Sequence, residues 1–108
     1  MLNVLKAEVG HNKILSPELR AVIHIFSYDR ELREKALPHV DIEKEMINWF
    51  GIGRNHFSSS HNTAIMWARS IWLAKSPIND DPFERTFSMD FSMRKTLLEA
   101  LAIAWGVS

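Results

Sequence analysis

The histidines and the serines beside them are the residues whose chemistry is easiest to test against known sites. His56 and His61 are five residues apart, about 140° on a helical wheel, so they miss the four-residue spacing of helical metal pairs. Glu8 and His11 have the Glu-x-x-His spacing of carboxylate-bridged iron bundles, but a glycine separates them and no second copy follows. Ser60 precedes His61 without the glycine-flanked elbow of a nucleophilic serine. The sequence therefore predicts no metal site, no cofactor and no enzymatic activity.

Charge is distributed unevenly along the chain. The 13 basic and 13 acidic residues balance, but residues 46–79 contain Arg54, Arg69 and Lys75 and no acid. The flanking segments 16–45 and 80–108 each carry a net charge of −2. A cationic block of this kind is suited to binding the phosphates of a nucleic acid.

Within this block, residues 46–61 have the pattern of a helix-turn-helix DNA-binding unit. Gly51 would take the positive φ of the sharp turn. The pattern assigns the inward face of the first helix to Met46, Ile47 and Phe50. Ile52 would fill the angle between the helices, and Phe57 would anchor the second. It assigns nucleic-acid contacts to Arg54, Asn55, His56, Ser58, Ser59 and Arg69, with His61 as a further candidate. The two arginines would neutralise phosphates, and Asn55, His56 and Ser58 would approach base edges.

About a dozen residues of this stretch resemble the Gly-Arg-Asp-His segment of the bacterial replication-initiator DNA-binding domain. The matching residues are Phe50, Gly51, Gly53, Arg54 and His56, and Asn55 stands where the family has Asp. Ile52 is an extra residue between the glycines, and Phe57-Ser58 replaces a threonine pair. In a second register, His61-Asn62-Thr63 aligns with the family's His-Thr-Thr. The resemblance implies binding of duplex DNA.

A purely structural interpretation of the same residues is also open. In it, Gly51 ends a helix, Ile52 and Phe57 belong to the core, and Ser58, Ser59 and Ser60 form a surface loop, because consecutive serines are poor helix formers.

Helical spacing and capping residues predict an all-α fold for the whole chain. Ser16-Pro17 begins a first helix, and a shift of its apolar stripe near Asp29 indicates either a rotating face or a second helix. A further helix begins after Asp41 and ends at Gly51, and another runs through residues 63–75. Asp81-Pro82 begins the last helical region, which breaks near Ser88-Met89-Asp90 and ends at Gly106. We expect a single domain over residues 1–108, a compact bundle of four to five helices with a short irregular or extended N-terminal arm.

The tryptophans suggest self-association. The helix over 63–75 and the last helix from Leu97 to Trp105 are apolar almost all round, and a small domain covers two such helices with difficulty. We expect a homodimer with Trp67, Trp72 and Trp105 in its interface. The alternative to DNA binding is accordingly a small protein-protein interaction module, an accessory or inhibitor protein that docks through this Trp-rich face.

Composition narrows the class of protein further. The chain has 108 residues, 46% of them hydrophobic, and no cysteine, which disfavours a disordered chain, a disulfide scaffold and a thiolate metal site. The first residues lack the pattern of a secretory signal, and no window approaches a membrane span. The sequence thus predicts a cytoplasmic protein without a membrane partner.

Overall fold

The computed structural model describes residues 14–74 and 82–107. Six α-helices account for most of them: α1 (Pro17–Phe26), α2 (Arg30–Lys35), α3 (Trp49–Gly53), α4 (Ser59–Leu73), α5 (Pro82–Thr86) and α6 (Phe91–Trp105). The predicted all-α class is confirmed, and the helix count is raised by the short helices α2, α3 and α5. The N-terminal arm and the capping role of Asp81 lie outside the described residues.

Side-chain caps fix where the main helices begin. Ser16, Asp29 and Asp90 each accept a hydrogen bond from the backbone N–H three residues further on. The predicted start at Ser16 is confirmed, and the shift of the stripe near Asp29 is a new helix, not a rotating face. At the other end of the chain, Gly106 closes α6 with φ 69°, as its type predicts.

Helix α1 forms the centre of the molecule. Six of its ten residues are buried, namely Leu19, Ala21, Val22, Ile23, Ile25 and Phe26. It packs between α6 and α4, and the short helix α3 adds the buried Ile52 to the same core. The ring of Phe26 meets that of Trp49 edge-on at 6.1 Å.

The predicted helix from Asp41 to Phe50 is wrong. The segment forms a 3-10 turn (Leu37–His39) and two short antiparallel strands, β1 (Val40–Asp41) and β2 (Met46–Ile47). Asp41 does accept a hydrogen bond three residues on, from the N–H of Lys44, but it closes a turn there. Glu45 adopts φ 52°, which breaks any helix, and its carboxylate accepts the N–H of Ser16 at 3.1 Å.

The predicted positive φ and turn at Gly51 are also wrong, because Gly51 lies inside α3. A glycine is needed there for space. A Cβ atom would lie 2.6 Å from Nδ1 of His39 and 2.7 Å from Nδ2 of Asn48. The connection between the two helices is instead formed by residues 54–58, and α4 begins at Ser59. Of the three serines in the loop of the structural interpretation, only Ser58 lies in this connection, and Ser59 and Ser60 are helical.

Candidate functional site

Five of the six predicted nucleic-acid contacts are exposed, namely Arg54, His56, Ser58, Ser59 and Arg69. The guanidinium of Arg54 lies 5.8 Å from the centroid of the Phe50 ring, in a cation–π contact at the surface. These side chains are open to solvent on the 54–58 connection and on α4.

The side chains of Asn55 and Ser58 make hydrogen bonds within the chain. The amide nitrogen of Asn55 donates to the carbonyl oxygens of Gly51 and Lys35, at 3.2 and 3.4 Å. The hydroxyl of Ser58 accepts the N–H of His61 and caps α4. Because these groups hold the 54–58 connection in place, contact with a base edge would require them to give up internal bonds.

His61 joins the beginning of α4 to the beginning of α2. Its Nε2 lies 2.6 Å from Oδ2 of Asp29, and its Nδ1 lies 2.9 Å from Oε2 of Glu31. The contact with Asp29 is a hydrogen bond, whereas Oε2 of Glu31 makes no hydrogen bond within the described residues and contributes only the proximity of its charge. We call His61, Asp29 and Glu31 the latch. Its two carboxylates stand beside the start of α4, where they oppose the approach of a phosphate.

The electrostatics of Asp29 follow from this setting. Burial favours the neutral carboxyl, but hydrogen bonds from the Leu32 N–H and from His61, with the charges of His61 and Arg33, outweigh burial. The pKa of Asp29 is therefore lowered from its ordinary value.

The latch also extends to a series of side chains of the types found in a catalytic triad: the hydroxyl of Ser58, the imidazole of His61 and the carboxylate of Asp29. The Ser58 hydroxyl lies 2.7 Å from Nδ1 of His61, the nitrogen that would have to accept its proton. Oε2 of Glu31 lies 2.9 Å from the same nitrogen, and the Ser58 hydroxyl is already engaged as the acceptor of the His61 backbone N–H. The geometry thus favours a structural latch over an activated serine. The latch could not be inferred from the sequence, because Asp29 is 32 residues from His61.

An exposed row of apolar side chains lies on α6. Phe91, Leu98 and Trp105 are 72%, 69% and 70% exposed, and they follow one another at intervals of seven residues. Seven residues bring a helix back to within about 20° of the same face. We call these three side chains the α6 stripe. The buried residues of α6, Met93, Leu97 and Ala100, lie on its other side, about 130° around the helix.

Two further exposed phenylalanines precede the stripe in the chain. Phe83 and Phe87 are in edge-on contact at 5.4 Å between ring centroids.

A groove of about 390 Å³ runs beside the stripe, between α4 and α6. Its walls include Trp67, Ile71, Leu101 and Trp105, and the buried hydroxyl of Ser70 in it has no hydrogen-bond partner within residues 14–74 and 82–107. Of the three predicted interface tryptophans, Trp67 and Trp105 therefore line one groove. Trp67 and Trp72 are half-buried against the core, and Trp105 is exposed. The indole N–H of Trp67 donates to the Thr86 hydroxyl at 2.6 Å.

Among residues 14–74 and 82–107, no group of three or more His, Asp or Glu side chains is arranged to hold a metal ion. In the same residues, no helix is both long and apolar enough to cross a membrane. Comparisons with family models, curated proteins and solved structures find no match to this chain.

Proposed function

We propose that this chain is a non-enzymatic protein-interaction module that packs an apolar helix of a partner protein against the α6 stripe. One observation carries the proposal. Three large apolar side chains, each about seven-tenths exposed, recur at helical spacing on the face of α6 turned away from the core. An apolar face at seven-residue spacing is the surface that a second helix covers in helix–helix packing.

The size of the surface supports this function. Phe and Trp side chains offer about 150–250 Å² each, so at these exposures the stripe presents on the order of 400 Å². Apolar patches of this size on soluble proteins commonly mark interaction sites. The adjoining groove would receive a protruding side chain from the partner, since a cavity of about 150 Å³ already holds a benzene ring.

The test is site-specific photo-crosslinking in cells. A photoreactive phenylalanine analogue replaces Leu98, and the matched control replaces Leu73, another exposed leucine, which lies outside the stripe and the groove. We expect a discrete product at position 98 that position 73 does not give. Its crosslinked peptide should map to an apolar helical face, and the product should be lost when Phe91 and Trp105 are changed to serine. Equal products at both positions, or none at position 98, would contradict the function.

Binding of duplex DNA is the second candidate function. The exposure of Arg54, His56, Ser59 and Arg69 on a segment without acidic residues favours it. A gel-shift series with random duplex at rising salt tests it, with Arg54→Ala as the variant and Arg30→Ala, an exposed arginine on α2, as the control. Salt-sensitive binding that only Arg54→Ala weakens would support it. Absence of binding at low salt would end it.

A further inference from the structure

We propose that the partner on the α6 stripe is a second copy of this chain, packed antiparallel across a two-fold axis at Leu98. This inference rests on the proposed function and names its partner. Phe91 and Trp105 each lie seven residues from Leu98. When two α6 helices pack antiparallel about Leu98, each Phe91 therefore meets the partner's Trp105, and Leu98 meets the partner's Leu98. A surface that is its own complement is what a two-fold interface requires.

Charge selects the antiparallel orientation. The exposed cations beside the stripe, Arg94 and Lys95, both lie in the first half of α6. The acid of this helix, Glu99, contacts His24 of α1 at 3.0 Å and is engaged within the chain. A parallel pair would set the cations of one copy against those of the other. An antiparallel pair about Leu98 places Arg94 opposite the second copy's Ala102 and Lys95 opposite its Leu101, away from that copy's cations, and also opposes the two helix dipoles.

The position of the groove and the apolar area of the stripe are consistent with a dimer of moderate affinity. The groove opens beside Trp105, the side chain against which the partner's Phe91 would pack. A stable interface buries about 800 Å² on each copy, and the stripe supplies roughly half of that. The exposed stems of Arg94 and Lys95 and the half-buried Leu101 and Ala102 flank the stripe and add to it. We expect a dissociation constant in the micromolar range.

Disulfide trapping tests both the axis and the orientation, because the chain contains no cysteine of its own. Facing Cα atoms of two packed helices come within about 4–6 Å of each other, which a disulfide can span. Under mild oxidation we expect Leu98→Cys to form a covalent dimer at least about tenfold faster than the control Leu73→Cys, because pairing raises the effective thiol concentration. Phe91→Cys alone should stay as slow as the control. An equal mixture of Phe91→Cys and Trp105→Cys, in which each copy keeps two of the three stripe side chains, should form a mixed covalent dimer faster than either variant does alone.

Sedimentation of the unmodified chain between about 5 and 500 µM should show a monomer–dimer equilibrium. Leu98→Glu should abolish it, because the change sets two like charges against each other at the axis, and Leu73→Glu should not. Crosslinking of Leu98→Cys no faster than the control would overturn the dimer, and rapid crosslinking of Phe91→Cys alone would overturn the antiparallel orientation. If the chain is monomeric and position 98 crosslinks to a different protein in cells, the dimer fails while the interaction function stands.

Discussion

Replacing His61 by alanine removes the imidazole that joins α2 to α4. The His61 side chain is 16% exposed and that of Asp29 is 34% exposed, so the pair is partly screened by water. Hydrogen bonds to charged groups contribute about 1.5–3 kcal/mol each when well buried. After allowance for this exposure, and for Asp29 keeping its bond to the Leu32 N–H, we expect a loss of about 2 kcal/mol of unfolding free energy. For a domain of this size, such a loss lowers Tm by roughly 10 °C.

The assay is urea unfolding followed by tryptophan fluorescence at neutral pH. The matched control is His56→Ala, an exposed histidine on the neighbouring connection, for which we expect a change within about 0.5 kcal/mol. If His61→Ala were no more destabilising than His56→Ala, the latch would not hold α2 to α4.

The pH dependence of the same variants gives a second, independent result. Because the folded-state pKa of Asp29 is lowered, its carboxylate contributes stability above the unfolded pKa of about 4, and this share is lost as the pH falls through the folded value. The wild type should therefore lose more unfolding free energy than His61→Ala between about pH 5 and pH 2. Equal losses in the two proteins would refute the role assigned to His61 in lowering the pKa of Asp29.

Three further changes test the fold around the site, each by urea unfolding. Gly51→Ala should destabilise the protein by about 1 kcal/mol, because the new methyl group meets the ring of His39, whereas Gly53→Ala meets nothing within 4 Å and should stabilise it by up to about 1 kcal/mol. The reverse order would refute the close packing at Gly51. Asp90→Ala should cost about 1 kcal/mol through loss of the α6 cap, and Asp90→Asn should restore most of it; equal losses would exclude capping as the cause. Ile52→Ala should cost about 2–4 kcal/mol, since this side chain is buried in the core, and a loss below about 1 kcal/mol would contradict that burial.

The sequence by itself determined where α1 begins and where α6 ends. The cap at Ser16 and the left-handed Gly106 involve hydrogen bonds between residues at most a few positions apart. Such contacts depend on local chain geometry, so they can be inferred without knowing the fold. The all-α class followed from the same local information.

Tertiary contacts determined the secondary structure of residues 41–51, which belong to the segment on which the DNA-binding prediction depended. An aspartate that caps a helix accepts the N–H three residues ahead, and Asp41 accepts the same N–H in the turn that it closes here. The local sequence therefore does not distinguish a helix cap from a turn. The hairpin is selected by contacts that are distant in sequence, such as that of Glu45 with Ser16. The meeting of His61 with Asp29 is likewise a long-range contact.

The α6 stripe was hidden for a different reason. A helix that is apolar on nearly every face does not indicate which face its neighbours will cover. Packing of α6 against α1 buried Met93, Leu97 and Ala100 and left Phe91, Leu98 and Trp105 outside. The sequence predicted a surplus of apolar surface, and only the packing of the helices determined where that surplus lies.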